Sequence, residues 1–301
     1  MKNIKIKLSM LAIAGIALAT ISITSCKKSS SGPTVTLIGG YASSDSVASG
    51  NLIAYWPFDG NTNDVKGGLT ATASAGITYN ASGVRGQAYQ GDTTSYATFT
   101  PGASFSNIGS YSFSVWYNEP SQSTKSQGLF FLSGSTTLNE LLFEIEPFTP
   151  VSGDSVRIHT GLNDLASPSF QQFVMESFDT AAIGKWVHLV VTYDGGTSVY
   201  TVYQDATPTL TGGSGFTPTP VTPNPLYTDG TKATGLGQIG FTSDPPHTIY
   251  IGTWPPTLFG VSPSLGASGG FTGQMDELRI YNKALSTSEV AGLYLNGKAG
   301  R

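Results

Sequence analysis

The sequence holds a single cysteine, Cys26, in 301 residues. One thiol excludes an internal disulfide and any multi-cysteine metal site. Charge is also scarce. Asp, Glu, Lys and Arg make up 11% of the chain, about half the usual share. With 15 Lys+Arg against 19 Asp+Glu the formal charge is −4, and no basic patch stands out, so nucleic acid is excluded as a partner. Three histidines, His159, His188 and His247, lie far apart, without H-E-x-x-H or similar metal spacing. No Gly-rich loop opens a helix to cradle phosphate, and no strand-to-helix elbow presents G-x-S-x-G. No apolar run beyond the first 25 residues is long enough for a membrane span.

What is abundant points to turns and strands. Gly 37 and Pro 17 are high counts for this length, and aromatics reach 11%. Such a chain, rich in Gly, Ser, Thr, Tyr and Phe, reads as all-β.

The N-terminus reads as an address. Lys2, Lys5 and Lys7 precede an apolar run from Leu8 to Ile23, the pattern of a secretory signal. Ile23-Thr24-Ser25-Cys26 resembles the lipobox of bacterial lipoproteins, in which the cysteine becomes the acylated first residue. That resemblance implies a signal peptide over 1–25, lipid attachment at Cys26 and an exported cell-envelope protein. It would be held at a membrane surface without spanning it. Removing residues 1–25 takes away three lysines, so the net charge moves from −4 to −7 (−4 − 3). Residues 26–49 read as the acylated cysteine and a flexible tether.

From residue 50 to 301 the chain reads as one domain. Eleven strands are expected: 52–58, 96–100, 111–117, 128–132, 141–145, 155–160, 170–177, 186–193, 198–204, 248–253 and 273–281. That count suits a two-sheet antiparallel jelly-roll sandwich. One short C-terminal helix is expected after Ser286, which forms a capping box with Glu289. Val290, Leu293 and Tyr294 share its apolar face, and Gly297 is expected to stop it. Residues 207–246, rich in Thr, Pro and Gly, read as a long insertion, either functional or disordered.

Three blocks carry a family resemblance. They are Leu52-Ile-Ala-Tyr-Trp-Pro-Phe-Asp-Gly-Asn61 with Ser110-Tyr-Ser-Phe-Ser-Val-Trp116, then Gly184-Lys-Trp-Val-His-Leu-Val-Val-Thr-Tyr-Asp-Gly195, then Phe271-Thr-Gly-Gln-Met-Asp-Glu-Leu-Arg-Ile-Tyr281. Their order and spacing resemble the laminin-G-like jelly roll of the concanavalin A-like lectin/glucanase superfamily. The resemblance covers about residues 50–298 and implies two curved antiparallel sheets, one of which often forms a sugar groove. Members act as lectins, carbohydrate-binding and adhesion modules and, in some branches, glycoside hydrolases, so the fold alone leaves the activity open.

Candidate site residues follow. Asp59, Asn61 and Asp64 sit in the turn after the first strand, and Asp276 lies in the last. Hard oxygen donors of this kind suit one structural calcium ion, and modules resembling this one often hold calcium between these regions. The alternative is that Asp59 and Asp64 cap a turn while Asp276 bonds backbone amides. Alternation places Asp276 on the face of Leu278 and Ile280. Glu144 and Glu146 fall on one strand face, with Cα atoms about 6–7 Å apart. The laminarinase-type E-x-D-x-x-E or E-x-D-x-E motif is nevertheless not matched, so they read as solvent-facing carboxylates and the protein as a non-enzyme. Trp56, Trp116 and Trp186 read as core, and His188 as a packed histidine. Trp254, at the end of a strand beside the insertion, is the candidate platform for a sugar ring, with Tyr227, Arg157 and Gln172 as weaker candidates. The expected function is non-catalytic glycan binding from a lipid-anchored position. The alternatives are a structural or adhesion module that binds protein and a glycosidase with an unrecognised carboxylate pair.

Overall fold

A computed structural model describes residues 35–106, 108–134, 141–147, 155–162, 171–177, 182–211, 237–241, 245–255 and 269–301. Cys26, the leader, Tyr227 and most of the 207–246 segment lie outside them. In chain order the strands are β1 (Leu52–Trp56), β2 (Ala73–Ala75), β3 (Thr78–Asn80), β4 (Ala88–Gln90), β5 (Tyr96–Phe99), β6 (Tyr111–Asn118), β7 (Gln127–Ser133), β8 (Leu141–Glu146), β9 (Val156–Leu162), β10 (Gln171–Ser177), β11 (Val187–Asp194), β12 (Val199–Gln204), β13 (Thr207–Thr211), β14 (Thr248–Ile251) and β15 (Gln274–Tyr281). The helix α1 is Thr287–Lys298. Among the described residues no helix is long and apolar enough to cross a membrane.

The first sheet runs β13-β12-β11-β6-β15-β4-β3, with β1 also pairing β15. The second runs β10-β9-β8-β7-β14-β5-β2. All the strand pairs are antiparallel, so the chain is an all-β two-sheet jelly-roll sandwich. The first and last strands of the domain meet side by side, which explains why blocks more than 200 residues apart in sequence act together.

Period-two alternation builds the core between the sheets. Phe113 and Val115 of β6, Leu189 and Val191 of β11, Phe130 and Leu132 of β7, Phe143 and Ile145 of β8, and Ile249 and Ile251 of β14 are buried in one cluster. Phe113 stacks on Phe143 across the sheets, ring centroids 3.9 Å apart. Each such side chain contributes roughly 1.5–3 kcal/mol when fully buried.

A second cluster covers the outer face of the first sheet. Val190, Tyr203 and Tyr281 pack against Val290 and Leu293 of α1 and against Val47 and Leu285. The Ser286–Glu289 capping box starts α1 as expected. Gly297 does not end it. The helix continues to Lys298, and a Cβ at Gly297 would stand 2.8 Å from the Trp116 ring. That glycine serves close approach, not termination.

Three further expectations are corrected. The tether does not stay free to residue 49: a short 3-10 turn at Ser44–Ser46 docks on the domain, where the Ser44 hydroxyl donates to the Arg301 carbonyl and Asp45 pairs with Arg85 and Arg279. The 207–246 insertion begins as a strand, since Thr207–Thr211 forms β13; Pro208 fits because β13 is an edge strand. Trp186 is half-buried at the surface rather than in the core, its indole N–H donating to the Ser82 carbonyl. Trp56 and Trp116 are buried as expected.

Candidate functional site

On β8 and β9 the inward set is Phe143, Ile145 and Ile158, so Glu144, Glu146, Arg157 and His159 occupy the outer face of the second sheet. The strand register sets Glu144 directly opposite His159 and Glu146 opposite Arg157. His159 Nδ1 lies 2.7 Å from Glu144 Oε1 and 3.0 Å from Glu146 Oε1. Arg157 Nε lies 3.2 Å from the other Glu146 oxygen. Glu144 is 1% exposed and His159 5%. The expectation of two solvent-facing carboxylates is therefore corrected: one is buried, and an imidazole from the neighbouring strand joins both.

Environment drives these groups apart. Burial raises the Glu144 carboxyl to about 7, against the lowering pull of His159. Burial alone would raise Glu146 too, but contact with His159 and the Arg157 charge hold it below its ordinary value. Burial disfavours the His159 imidazolium, yet the two glutamates outweigh it and raise the imidazole to about 9. Glu119, also buried, is raised to about 7. It borders a cavity of about 10 Å3 beside Glu146 and Arg157, room for about one water.

Next to this cluster lies a small apolar patch on the same face. Phe131 of β7 and Leu142 of β8 are buried in it, and Tyr250 of β14 and Trp254 pack on them. Trp254 is half-buried and meets Phe131 edge-on, centroids 5.8 Å apart. Its indole is close enough to lower the Glu144 carboxyl. The sequence candidates Trp254 and Arg157 thus lie on the same face. Gln172 is on β10, opposite Gly161 of β9 in register. A second concavity, an open cleft of about 460 Å3, is lined by Ile108, Gly109, Ser110, Asp194, Gln238, Asn282, Lys283 and Ala284, with no aromatic ring among them.

The expected calcium ligands separate into two groups. Asp64 Oδ1 accepts the backbone N–H of Tyr55, Lys66 and Gly67, which commits it to its turn. The Asn61 side chain likewise bonds Asn63 N–H and the Asp59 carbonyl. Asp59 and Asp276 instead converge on one loop: Asp59 accepts Gln87 N–H at 2.7 Å and Asp276 accepts Arg85 N–H at 2.9 Å. Asp276 is fully buried, and burial, reinforced by the neighbouring Glu277, raises its carboxyl to about 8. It does not share the face of Leu278 and Ile280. Pairing of β15 with β6 shifts by one residue between Asp276 and Arg279, and Glu277 adopts φ +55. This bulge turns Leu278 inward and leaves Asp276 on the outer face, opposite Trp116.

His188 is packed as expected. It is buried, stacks on Trp116 at 4.8 Å, and its Nε2 lies 2.9 Å from the Ser114 hydroxyl.

The profile described as the concanavalin A-like lectin/glucanases superfamily matches residues 91–242, half of the chain. The chain belongs to this superfamily. Its laminin-G-like family match stops short of β1 and β15, but β15 lies beside β6 of the matched region, so one sandwich holds both. Among solved structures, this superfamily member is similar to domain 4 of AbnA, a GH43 extracellular arabinanase from Geobacillus stearothermophilus, in complex with arabinotriose. They share 22% identity with a TM-score of 0.52, over 81% of this chain and 98% of that one. It is also similar to the botulinum neurotoxin serotype D ligand binding domain in complex with N-acetylneuraminic acid, at 10% identity and TM-score 0.55, over 83% of this chain and 52% of that one. The type G receptor binding domain of the same toxin family gives 14% identity and TM-score 0.53, over 81% and 51%. The chain thus spans about half the length of these toxin domains. No curated protein matches the chain. At these identities the likeness is one of fold.

Among the described residues, the cluster Glu144, Glu146 and His159 was missed by sequence reasoning. Alternation correctly put the two glutamates together. The histidine that joins them arrives through strand register, which leaves no mark on the spacing of motifs.

Proposed function

We propose that this protein is a non-catalytic glycan-binding module of the concanavalin A-like superfamily, held at the cell envelope through acylated Cys26. The observation that carries this reading is Trp254, a half-buried indole seated on Phe131 near Glu144, on the sheet face that also carries Arg157 and Glu146. A ring for the C–H face of a sugar next to hydrogen-bonding groups for its hydroxyls is the requirement of a sugar site. The complexes of similar folds with arabinotriose and N-acetylneuraminic acid support a carbohydrate ligand. A binding role fits Glu144 better than hydrolysis: its carboxylate is buried and bonded to His159 rather than open to a glycosidic oxygen.

A structural calcium ion belongs to this reading, with Asp59 and Asp276 as its side-chain ligands. The buried Asp276 carboxylate beside Glu277 is a group that a bound cation would compensate. Asn61 and Asp64 serve their turn instead.

A glycan array with the purified protein, with and without chelator, tests the reading. Saturable binding that Trp254→Ala weakens roughly tenfold or more, the weight of about 1.5 kcal/mol of ring contact, is the expected result. Absence of binding across a broad array sinks it in favour of a protein-binding adhesion module. Mass spectrometry of the mature N-terminus checks acylation, which Cys26→Ala must abolish.

A further inference from the structure

Glu144, Glu146 and His159 present one ligand atom each, all within 4.8 Å of one another. The donors are two carboxylate oxygens and an imidazole nitrogen, a set suited to a borderline divalent metal of the zinc class. Calcium fits less well, because it takes six to eight oxygens. In a tetrahedral zinc shell with bonds of about 2.0–2.1 Å, ligand atoms stand about 3.3–3.4 Å apart. His159 Nδ1 is already 2.7 and 3.0 Å from the two glutamate oxygens. These two contacts need to open by only about half an ångström, while the two glutamate oxygens, within 4.8 Å of each other, draw together around the ion.

A second observation points the same way. Glu144 Oε2 is buried and receives no hydrogen bond of full geometry, the Trp254 indole being only a weak neighbour, in a residue that is 1% exposed. A carboxylate oxygen left without a donor is costly, and a metal ion would satisfy it. Rigid positions support the site: Glu144 faces His159 in direct register on adjacent strands, Glu146 is two residues along the same strand, and Arg157 orients Glu146 from its far side.

We propose that Glu144, Glu146 and His159 form a binding site for one zinc-class divalent metal ion on the outer face of the second sheet, separate from the Asp59–Asp276 loop. The metal takes the place between His159 Nδ1 and the two carboxylates, leaving one coordination position for solvent.

The test uses the full chain, stripped with chelator and titrated with zinc, cobalt and calcium by calorimetry and thermal melting. One equivalent of zinc is expected to bind and raise the melting temperature, and cobalt to give a visible absorption band that zinc displaces and calcium does not. Glu146→Gln and His159→Gln are each expected to remove the band and to weaken zinc by more than the roughly 10–100-fold that follows loss of an outer-shell partner. Asp276→Asn is expected to leave zinc binding intact. If His159→Gln fails to fold, the half-buried Glu146 carries the test. No saturable zinc or cobalt uptake, or uptake unchanged in Glu146→Gln, overturns the proposal. The array reads glycan binding separately, so retained glycan binding without zinc uptake overturns the metal site alone.

Discussion

The guanidinium of Arg279 lies 4.1 Å from the centre of the Tyr55 ring, and both residues close on Glu277. Arg279 Nη2 is 2.6 Å from Glu277 Oε2 and 3.0 Å from Asp45 Oδ1. The third sequence block thus acts as a clamp that ties the last strand to the first and to the turn at Ser44–Ser46. Both Arg279 and Glu277 are almost wholly buried, so removing one partner strands the other. Arg279→Ala is expected to lower stability by about 3–5 kcal/mol, measured by urea unfolding. Arg279→Lys should recover little, because an ammonium cannot both stack on the ring and fork to two carboxylates.

Gly297 gives a prediction whose sign opposes helix propensity. In an exposed helix, Gly→Ala gains about 1 kcal/mol. Here the new methyl would press on the Trp116 ring, and Gly297→Ala is expected to cost about 1–3 kcal/mol. Near-ultraviolet circular dichroism should change with it, since Trp116 also stacks on His188 and Tyr294.

His188 makes stability depend on pH. Burial, with a smaller contribution from Arg279, lowers the imidazole to about 3, against about 6.5 when unfolded. The native state keeps it neutral while the unfolded chain takes up a proton. Its contribution is therefore complete above pH 6.5 and is lost as pH falls towards 3. His188→Phe keeps a ring in the stack but cannot titrate. Its stability should fall less steeply between pH 6.5 and 4 than that of the parent chain, and equal slopes would refute the assignment.

The two aspartate groups predict different responses to calcium. Asp276→Asn is expected to abolish any rise in melting temperature on adding calcium. Asp64→Ala should lower stability by about 1–3 kcal/mol, from the backbone donors it leaves unpaired, while the calcium response remains. Equal calcium responses in the parent and Asp276→Asn would remove Asp276 from the calcium site.

Much of this protein was legible in its residues. Alternation of apolar and polar positions named the main strands, because a half-buried sheet needs period two. The Ser286–Glu289 pair located the helix start, because capping is a local event. The three blocks announced the superfamily. Short, polar or edge strands such as Ala73–Ala75 and Thr207–Thr211 were not legible, since they are held by their neighbours rather than by an apolar pattern.

The site lies on the other side of that division. Residue spacing put Glu144 beside Glu146, but only antiparallel register set His159 opposite Glu144, and only packing buried them. Residue order suggested that Asp276 faces inward with Leu278, but one extra residue at Glu277 turned it outward. Local pattern is written in the chain because it depends on neighbours three or four positions away. Register, bulges and burial depend on partners tens to hundreds of residues distant, and so the chemistry of this surface was decided only when the strands paired and packed.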